Sequence, residues 1–310
     1  MDRGDDKVTR TPPAADAARW RLREAVLDLA FPRIMAICNV TPDSFSDGGA
    51  HDSVDRALHY AESALRDGAT LLDIGGESTR PGATPVTLDE ELARVMPVLE
   101  AVRDRLPELL LTIDTVKAGV ARAALDAGAH AINDVSAGRL DPQMFGVVAA
   151  AQAGIVLMHS RGTVAEMATY ALADYAGDVT QVVTDELRAR RTLALAAGMT
   201  AEAIVLDPGI GFAKRSAHSL AILRDLDRLA ALGHPVLVGA SRKRFIGELT
   251  GRSEPTDRAV GSAVVHAFAV ARGARLIRTH DVSATRDALA IAMALRERGS
   301  VTAACPPGAH

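Results

Sequence analysis

Asp73, Asp114, Asn133, Asp207 and Lys243 stand at or just beyond the ends of short apolar runs, as do Asn39, Arg278 and His280. Polar groups so placed are costly to bury unless they bind one another or a ligand. They divide by chemistry. Asp73, Asp114, Asn133 and Asp207 are carboxylates and an amide suited to a heterocycle rich in N–H donors, because an ionised carboxylate accepts a pair of parallel hydrogen bonds. Arg80, Arg278, His280 and Asn39 make a cationic, hydrogen-bonding set with no dense carboxylate cage. Guanidinium forks match phosphate oxygens, and one neutral amide oxygen suits a Mg2+ that keeps most of its water and shares its ligands with a diphosphate. Lys243 adds a point charge between the two sets. The glycine-flanked loops 43–49 and 75–83 are long and polar enough to close over a substrate. No Ser-His-Asp order, cysteine nucleophile or zinc-type histidine spacing stands out.

Each residue alone has a blander reading. A single Asp or Asn after a strand is more often a turn former or helix cap, which is the expectation for Asp134, Ser136 and Asp281. A lone histidine such as His159 is more often a satisfied core residue. What weakens the bland reading is recurrence, since polar ends close all eight apolar runs.

Those runs, 34–40, 70–74, 109–113, 130–133, 154–159, 203–207, 235–239 and 275–278, alternate with Ala/Leu/Arg/Glu-rich helical segments near 52–67, 88–106, 116–127, 141–152, 174–197, 216–231, 257–272 and 283–298. Short continuous apolar runs between amphipathic helices indicate βαβ units and a buried parallel sheet. Eight units, with no dinucleotide-type glycine fingerprint after the first, predict an α/β fold, a closed (β/α)8 TIM barrel whose strand ends converge on one catalytic face. Asp52 or Ser53, and Thr87 with Glu90, read as helix entries; Gly68, Gly128, Gly198 and Gly273 read as left-handed helix exits. Residues 18–30 read as a short amphipathic helix. The expected organisation is an extension over 1–32, partly disordered, one barrel domain over 33–298, and a flexible tail over 299–310.

A net charge of -4 argues against a nucleic-acid binder held by bulk electrostatics. Two cysteines, Cys38 and Cys305, make no disulfide framework. No stretch reaches the ~20 apolar residues of a membrane span, and the charged start is unlike a signal peptide, so a cytoplasmic protein without membrane partners is expected. The residues alone lead to a barrel transferase or lyase acting on a phosphorylated, nitrogen-rich small molecule.

The chain resembles the dihydropteroate synthase family. The stretches that carry the likeness are Asn-Val-Thr-Pro-Asp-Ser-Phe-Ser-Asp-Gly-Gly (39–49), Asp-Ile-Gly-Gly-Glu-Ser-Thr-Arg-Pro-Gly (73–82) and Ile-Asp-Thr-Val-Lys (113–117). Ile-Asn-Asp-Val-Ser (132–136), Leu-Met-His (157–159), Leu-Asp-Pro-Gly-Ile-Gly-Phe (206–212), Gly-Ala-Ser-Arg-Lys (239–243) and Arg-Thr-His-Asp-Val (278–282) follow in order. The resemblance implies a transferase of an alkyl group other than methyl. It would join a dihydropterin-methyl diphosphate to 4-aminobenzoate, releasing diphosphate and 7,8-dihydropteroate in folate biosynthesis. It also implies Mg2+, a homodimer and sulfonamides as inhibitors. By position, Asn39 would contact the metal, and Arg80, Arg278 and His280 the diphosphate. Asp73, Asp114, Asn133, Asp207 and Lys243 would bind the pterin, with Met158 and Phe212 against the ring. Phe45, Thr79, Pro81 and Ser241 would line the aminobenzoate site. Asp114, Asp207, Lys243 and Arg278 are the expected catalytic groups.

An aryl amine is neutral at pH 7 and needs no strong base, so the barrier is C–O cleavage, helped by stabilising both the pterin cation and the departing diphosphate. Ala137 and Ala213 stand where glycine is common in the family, Ser160 where a larger residue is, and Thr279 where Val is usual; these departures bear on loop geometry. A methyltetrahydrofolate-dependent methyltransferase would not need Arg80, Arg278 and His280. A silent pterin-binding paralogue would not need the intact Asn39, Arg80, Asp114, Lys243 and Arg278.

Overall fold

A computed structural model describes residues 15–41, 50–79 and 84–296. Eight parallel strands lie in sequence order around a barrel: β3 (Arg33–Asn39), β4 (Leu71–Gly75), β5 (Leu110–Asp114), β6 (Ala131–Asp134), β7 (Gly154–Met158), β8 (Ile204–Asp207), β9 (Leu237–Val238) and β10 (Leu276–Thr279). β10 pairs with both β3 and β9. The ring closes through a single bridge between Leu206 and Val236, where Leu206 N–H donates to the Pro235 carbonyl at 3.0 Å. β9 is two residues long, shorter than the run 235–239, because only there does the backbone pair in register with β10.

Helices cover the outside. They include α1 (Ala50–Arg66), α2 (Leu88–Arg105), α3 (Ala118–Asp126), α4 (Met144–Ala150), a single turn α5 (Val164–Met167) and α6 (Val179–Ala196). The segment 216–231 is two helices, α7 (Ser216–Arg224) and α8 (Leu226–Ala230), with Asp225 between them. A short helix not anticipated from sequence, α9 (Arg244–Thr250), precedes α10 (Ala259–Ala271) and α11 (Val282–Arg296). Thr87 and Glu90 form the expected reciprocal cap of α2. Asp52 and Ser53 lie inside α1, which begins at Ala50, three or four residues earlier than a cap at either would require. Gly68, Gly128, Gly198 and Gly273 all adopt positive φ.

Residues 19–28 are a β-hairpin, not a helix: β1 (Arg19–Leu22) pairs antiparallel with β2 (Ala25–Asp28). Trp20 and Leu22, like Leu27 and Leu29, are spaced by two and buried, so this segment follows the period of a strand. Together they plug the amino-terminal mouth of the barrel against Met35, Leu71, Ala131, Val156, Val205, Leu237 and Leu276. Trp20 Nε1–H donates to the Ala203 carbonyl at 3.0 Å. Gly154 admits the plug: a Cβ there would lie 2.7 Å from a Leu22 methyl and 2.9 Å from Trp20 Nε1.

Alternation along each strand sends one set of side chains outward to the helices, as with Ile34, Ala36 and Cys38, and the other into the barrel. Moving inward and upward, Leu71 is followed by Asp73, Leu110 by Thr112 and Asp114, Ala131 by Asn133, Val205 by Asp207, and Leu276 by Arg278. The pleat thus delivers the polar strand-end residues to one carboxy-terminal face.

Candidate active site

At the centre of that face Arg278 is held by two carboxylates. Its Nε–H donates to Asp73 Oδ2 at 2.6 Å and its Nη2–H to Asp114 Oδ2 at 2.8 Å. Asp73 is fully buried and also accepts from Thr112 Oγ1 at 2.5 Å and Asn133 Nδ2 at 2.8 Å. Three of the roughly four lone-pair directions of that carboxylate are therefore taken by protein. Asp114 has the opposite character. Burial pushes its carboxyl up to about 7 despite the Arg278 charge that works to lower it. Burial also opposes the charge on Arg278, yet Asp73 and Asp114 hold its pKa above the ordinary guanidinium value.

Beside this cluster, Lys243 Nζ lies 3.7 Å from the centroid of the Phe212 ring. Burial and the neighbouring Arg278 charge bring the lysine down to about 8. Asp207, at the end of β8, is raised to about 6 by burial while it accepts the Gly209 N–H at 2.7 Å. Phe212 packs with Val116, Val135, Met158 and Met167 into a small apolar wall. A flat, hydrogen-bonding molecule would find polar edges at Asp114, Asn133, Asp207 and Lys243 and an apolar face at Met158 and Phe212.

Two backbone features shape this sector. Arg242 has φ +57, a left-handed conformation that costs a non-glycine residue energy. It is held there by its N–H on Ser262 Oγ at 2.9 Å and its guanidinium on Asp281 at 2.5 and 3.0 Å. Asp281 is therefore a support, and so is Asp134, which accepts from the Ser136 N–H and hydroxyl and the Gly138 N–H. Ser241 Oγ lies 3.0 Å from His280 Nδ1, and burial lowers that imidazole to about 3. Asn39 sits at the end of β3, in register with Gly75, which is itself in register with Asp114. Thr79 is half-buried beyond β4. Phe45, Arg80 and Pro81 lie outside the described residues.

The pterin binding enzyme family matches residues 35–280. A dihydropteroate synthase from Synechocystis is 44% identical over 262 residues, covering 84% of this chain and 89% of that relative. A Streptococcus pyogenes dihydropteroate synthase is 43% identical over 83% of this chain and 93% of its own length. The chain belongs to the dihydropteroate synthase family. Among solved structures, the Xanthomonas albilineans synthase with 4-aminobenzoic acid superposes with TM-score 0.83 at 46% identity, covering 90% of this chain and 98% of that one. The same enzyme in complex with 7,8-dihydropteroate superposes at 0.80 and 44% identity. This family member is a transferase built on a TIM barrel.

Two clusters in this synthase-family barrel went unread in the sequence. Lys214 is 1% exposed, and its Nζ donates to His159 Nδ1 at 2.8 Å, the Phe212 carbonyl at 3.0 Å and the His159 carbonyl at 3.3 Å. Burial lowers Lys214 to about 7 and, with the lysine's charge, His159 to about 4. His159 Nε2 in turn meets Glu186 at 2.8 Å, and Arg161 binds the same carboxylate. The lysine thus ties the loop bearing Phe212 to the end of β7. Elsewhere Lys117 Nζ bridges Glu77 at 2.8 Å and buried Glu91 at 2.5 Å, while Glu77 accepts the Val86 N–H, so the flanks of loop 75–83 are pinned. A lysine two residues past an aromatic loop residue was the available signal for the first cluster. The second joins residues 40 apart in sequence, a link no local pattern carries.

Proposed function

We propose that this chain joins a dihydropterin-methyl diphosphate to 4-aminobenzoate, releasing diphosphate and 7,8-dihydropteroate in folate biosynthesis. Arg278 carries this reading: its Nε and Nη2 are fixed by Asp73 and Asp114, which leaves Nη1 as the face of a guanidinium aimed by one buried and one partly buried carboxylate. Such an arginine joins the heterocycle set to the anion set. Asp114, Asn133, Asp207 and Lys243 would hold the pterin edges, and Met158 and Phe212 its faces. Arg278 with His280 and Arg80 would take the diphosphate, and Phe45, Thr79, Pro81 and Ser241 would receive 4-aminobenzoate. Asp73, with its oxygens engaged by protein, positions Arg278 and Asn133 and does not itself bind substrate.

The barrier in this scheme is C–O cleavage. Asp114 and Asp207 stabilise positive charge developing on the pterin methylene, and the cations stabilise the leaving group. Asn39 is the residue that would hold Mg2+. The donor set fits a cation that brings its own ligands: among the described residues no group of three or more His, Cys, Asp or Glu could cage a metal, and Asn39 offers one neutral amide oxygen beside Gly75. When bound, the ion would offset diphosphate charge.

A homodimer is part of the reading. Val260, Val264 and Phe268 on α10, with Ile291 and Leu295 on α11, leave large apolar side chains exposed. Val260, Val264 and Phe268 recur every four residues and share one helix face. A cytoplasmic setting accords with Cys38, a free and buried thiol, and among the described residues no helix is long and apolar enough to cross a membrane. The barrel from 33 to 298 is taken as one domain. The test is purified protein with the pterin diphosphate, 4-aminobenzoate and Mg2+, followed by diphosphate release. We expect release that depends on the amine; folded protein giving none overturns the reading.

A further inference from the structure

Behind Ser241 a line of buried hydroxyls runs from the α10–α11 interface to His280. His266 on α10 is fully buried, and its Nδ1 lies 3.1 Å from Thr285 Oγ1 on α11. Thr285 Oγ1 is 3.1 Å from Thr279 Oγ1 at the end of β10. Thr279 Oγ1 lies 3.5 Å from Ser241 Oγ, the loosest step, and Ser241 Oγ lies 3.0 Å from His280 Nδ1.

The protons in this line can be counted, because a hydroxyl has one proton to give and two lone pairs to receive with. Thr279 Oγ1 already accepts the Asp281 N–H at 3.0 Å, and Ser241 Oγ accepts the His280 N–H at 3.2 Å. Burial holds His266 neutral near pH 7, with a pKa near 4, so its ring carries one N–H. Its Nε2 is buried with no partner among the described residues. A buried unpaired N–H is rarer and costlier than an unpaired lone pair, which places the ring proton on Nδ1, where Thr285 receives it. Thr285 must then donate to Thr279, and Thr279 to Ser241. The remaining proton, that of Ser241, points at His280 Nδ1.

We propose that Thr279 and Thr285 form a one-way hydroxyl relay from His266 that fixes His280, through Ser241, with its ring proton on Nε2. Nε2–H then becomes the ring donor offered to an anionic group, and Thr279 and Thr285 are positioning residues that touch no substrate. The burial that keeps His280 neutral suits this role, since a neutral imidazole donates from one nitrogen only and the tautomer decides which. A valine at position 279 would fill the same volume but could neither receive from Thr285 nor donate to Ser241. The link to diphosphate rests on the function proposed above; the tautomer does not.

The experiment uses full-length protein with 15N-labelled histidine, inorganic diphosphate as probe, and the variants Thr279→Val and Thr279→Ser. Long-range 1H–15N spectra, with His280 assigned by loss of its signals in His280→Gln, should show the Nε2–H form in the parent protein and in Thr279→Ser. Thr279→Val should mix the tautomers and weaken diphosphate binding about threefold to tenfold, the range of one lost neutral hydrogen bond. It should raise KM for the pterin diphosphate, which Thr279→Ser should leave within about twofold of the parent. An Nδ1–H tautomer in the parent protein, or a Thr279→Val spectrum unchanged at His280, overturns the relay. Diphosphate that fails to bind a parent protein showing Nε2–H supports the relay and overturns the anion-site reading of His280.

Discussion

At the amino-terminal mouth of the barrel the inward positions are Met35, Leu71, Ala131, Val156, Val205, Leu237 and Leu276, sealed by Trp20, Leu22, Leu27 and Leu29 of the hairpin. Two residues further along the same strands stand Ile37, Asp73, Asn133, Met158, Asp207, Gly239 and Arg278. The first layer is apolar and satisfied by packing; the second carries Asp73, Asn133, Asp207 and Arg278, of which Asp73, Asn133 and Arg278 share a hydrogen-bonded web. A step of two along a strand keeps a side chain on the same face, so one pleat serves both layers. The separation matters physically. Titratable groups with displaced pKa values gather at the carboxy-terminal end, where Asp114, Asp207 and Lys243 are shifted, while the plug supplies stability at the other end.

If the ends divide the labour in this way, damage to each should be read by a different measurement. Trp20→Ala removes the largest side chain of the plug and orphans the Ala203 carbonyl, and should cost stability by about 3–5 kcal/mol. Denaturant unfolding checks this, with turnover per folded molecule expected to stay near that of the parent. A parallel collapse of turnover in folded protein would mean that the ends are coupled.

Arg278→Met is the converse. Turnover should fall by about 100- to 1,000-fold, the scale of losing one preorganised donor to developing charge. Stability should suffer less, because Asp114, already raised to about 7, can take up a proton once the guanidinium charge is gone. A melting temperature that collapses with activity would place Arg278 among the structural residues instead.

The pH profile sharpens the upper layer further. Asp114 and Asp207, raised to about 7 and about 6, act as carboxylates, so kcat/KM for the pterin diphosphate should climb as pH rises through those values. Lys243, lowered to about 8, must keep its proton, so the profile should decline as pH rises through that value. The limbs belong to coupled groups and yield apparent constants. Lys243→Arg should carry the alkaline limb upward; an unmoved limb would assign it to another group.

The lower layer and the upper layer were not equally legible in the sequence. Eight apolar runs ending in polar residues were enough for the barrel and for Asp114, Asn133, Asp207, Lys243 and Arg278 as neighbours, because strand ends in this topology must converge. The hairpin was misread because Arg, Leu, Glu and Ala over 18–30 have helix propensity, while the period-two burial of Trp20, Leu22, Leu27 and Leu29 is decided by what they pack against. Lys214 with His159, and Arg278 with Asp73 and Asp114, are pairs brought together from 55 to 205 positions apart. Single residues carried those signals; their partnership did not.

Ala137 and Ala213 test the comparison at its finest scale. Both have positive φ, +51 and +47, a region that favours glycine. Each Cβ costs about 1–2 kcal/mol in that conformation, against the roughly 0.5–1 kcal/mol of chain freedom that glycine forfeits on folding. Replacing either alanine with glycine should therefore raise stability by up to about 1 kcal/mol. Their kinetic effects should differ. Ala137 offers its carbonyl to Arg190 Nε, a contact that ties the end of β6 to α6, and Ala137→Gly should leave kinetics unchanged. Ala213 follows Phe212, receives the Tyr175 hydroxyl on its carbonyl and precedes Lys214. Ala213→Gly loosens the peptide that aims the Phe212 ring, so it should gain the same stability and lose about two- to threefold in kcat/KM for the pterin diphosphate, within the ~1.4 kcal/mol of a tenfold change. Equal kinetic effects at the two positions would show that the left-handed alanines are only a stability matter, and that Lys214 alone holds Phe212 in place.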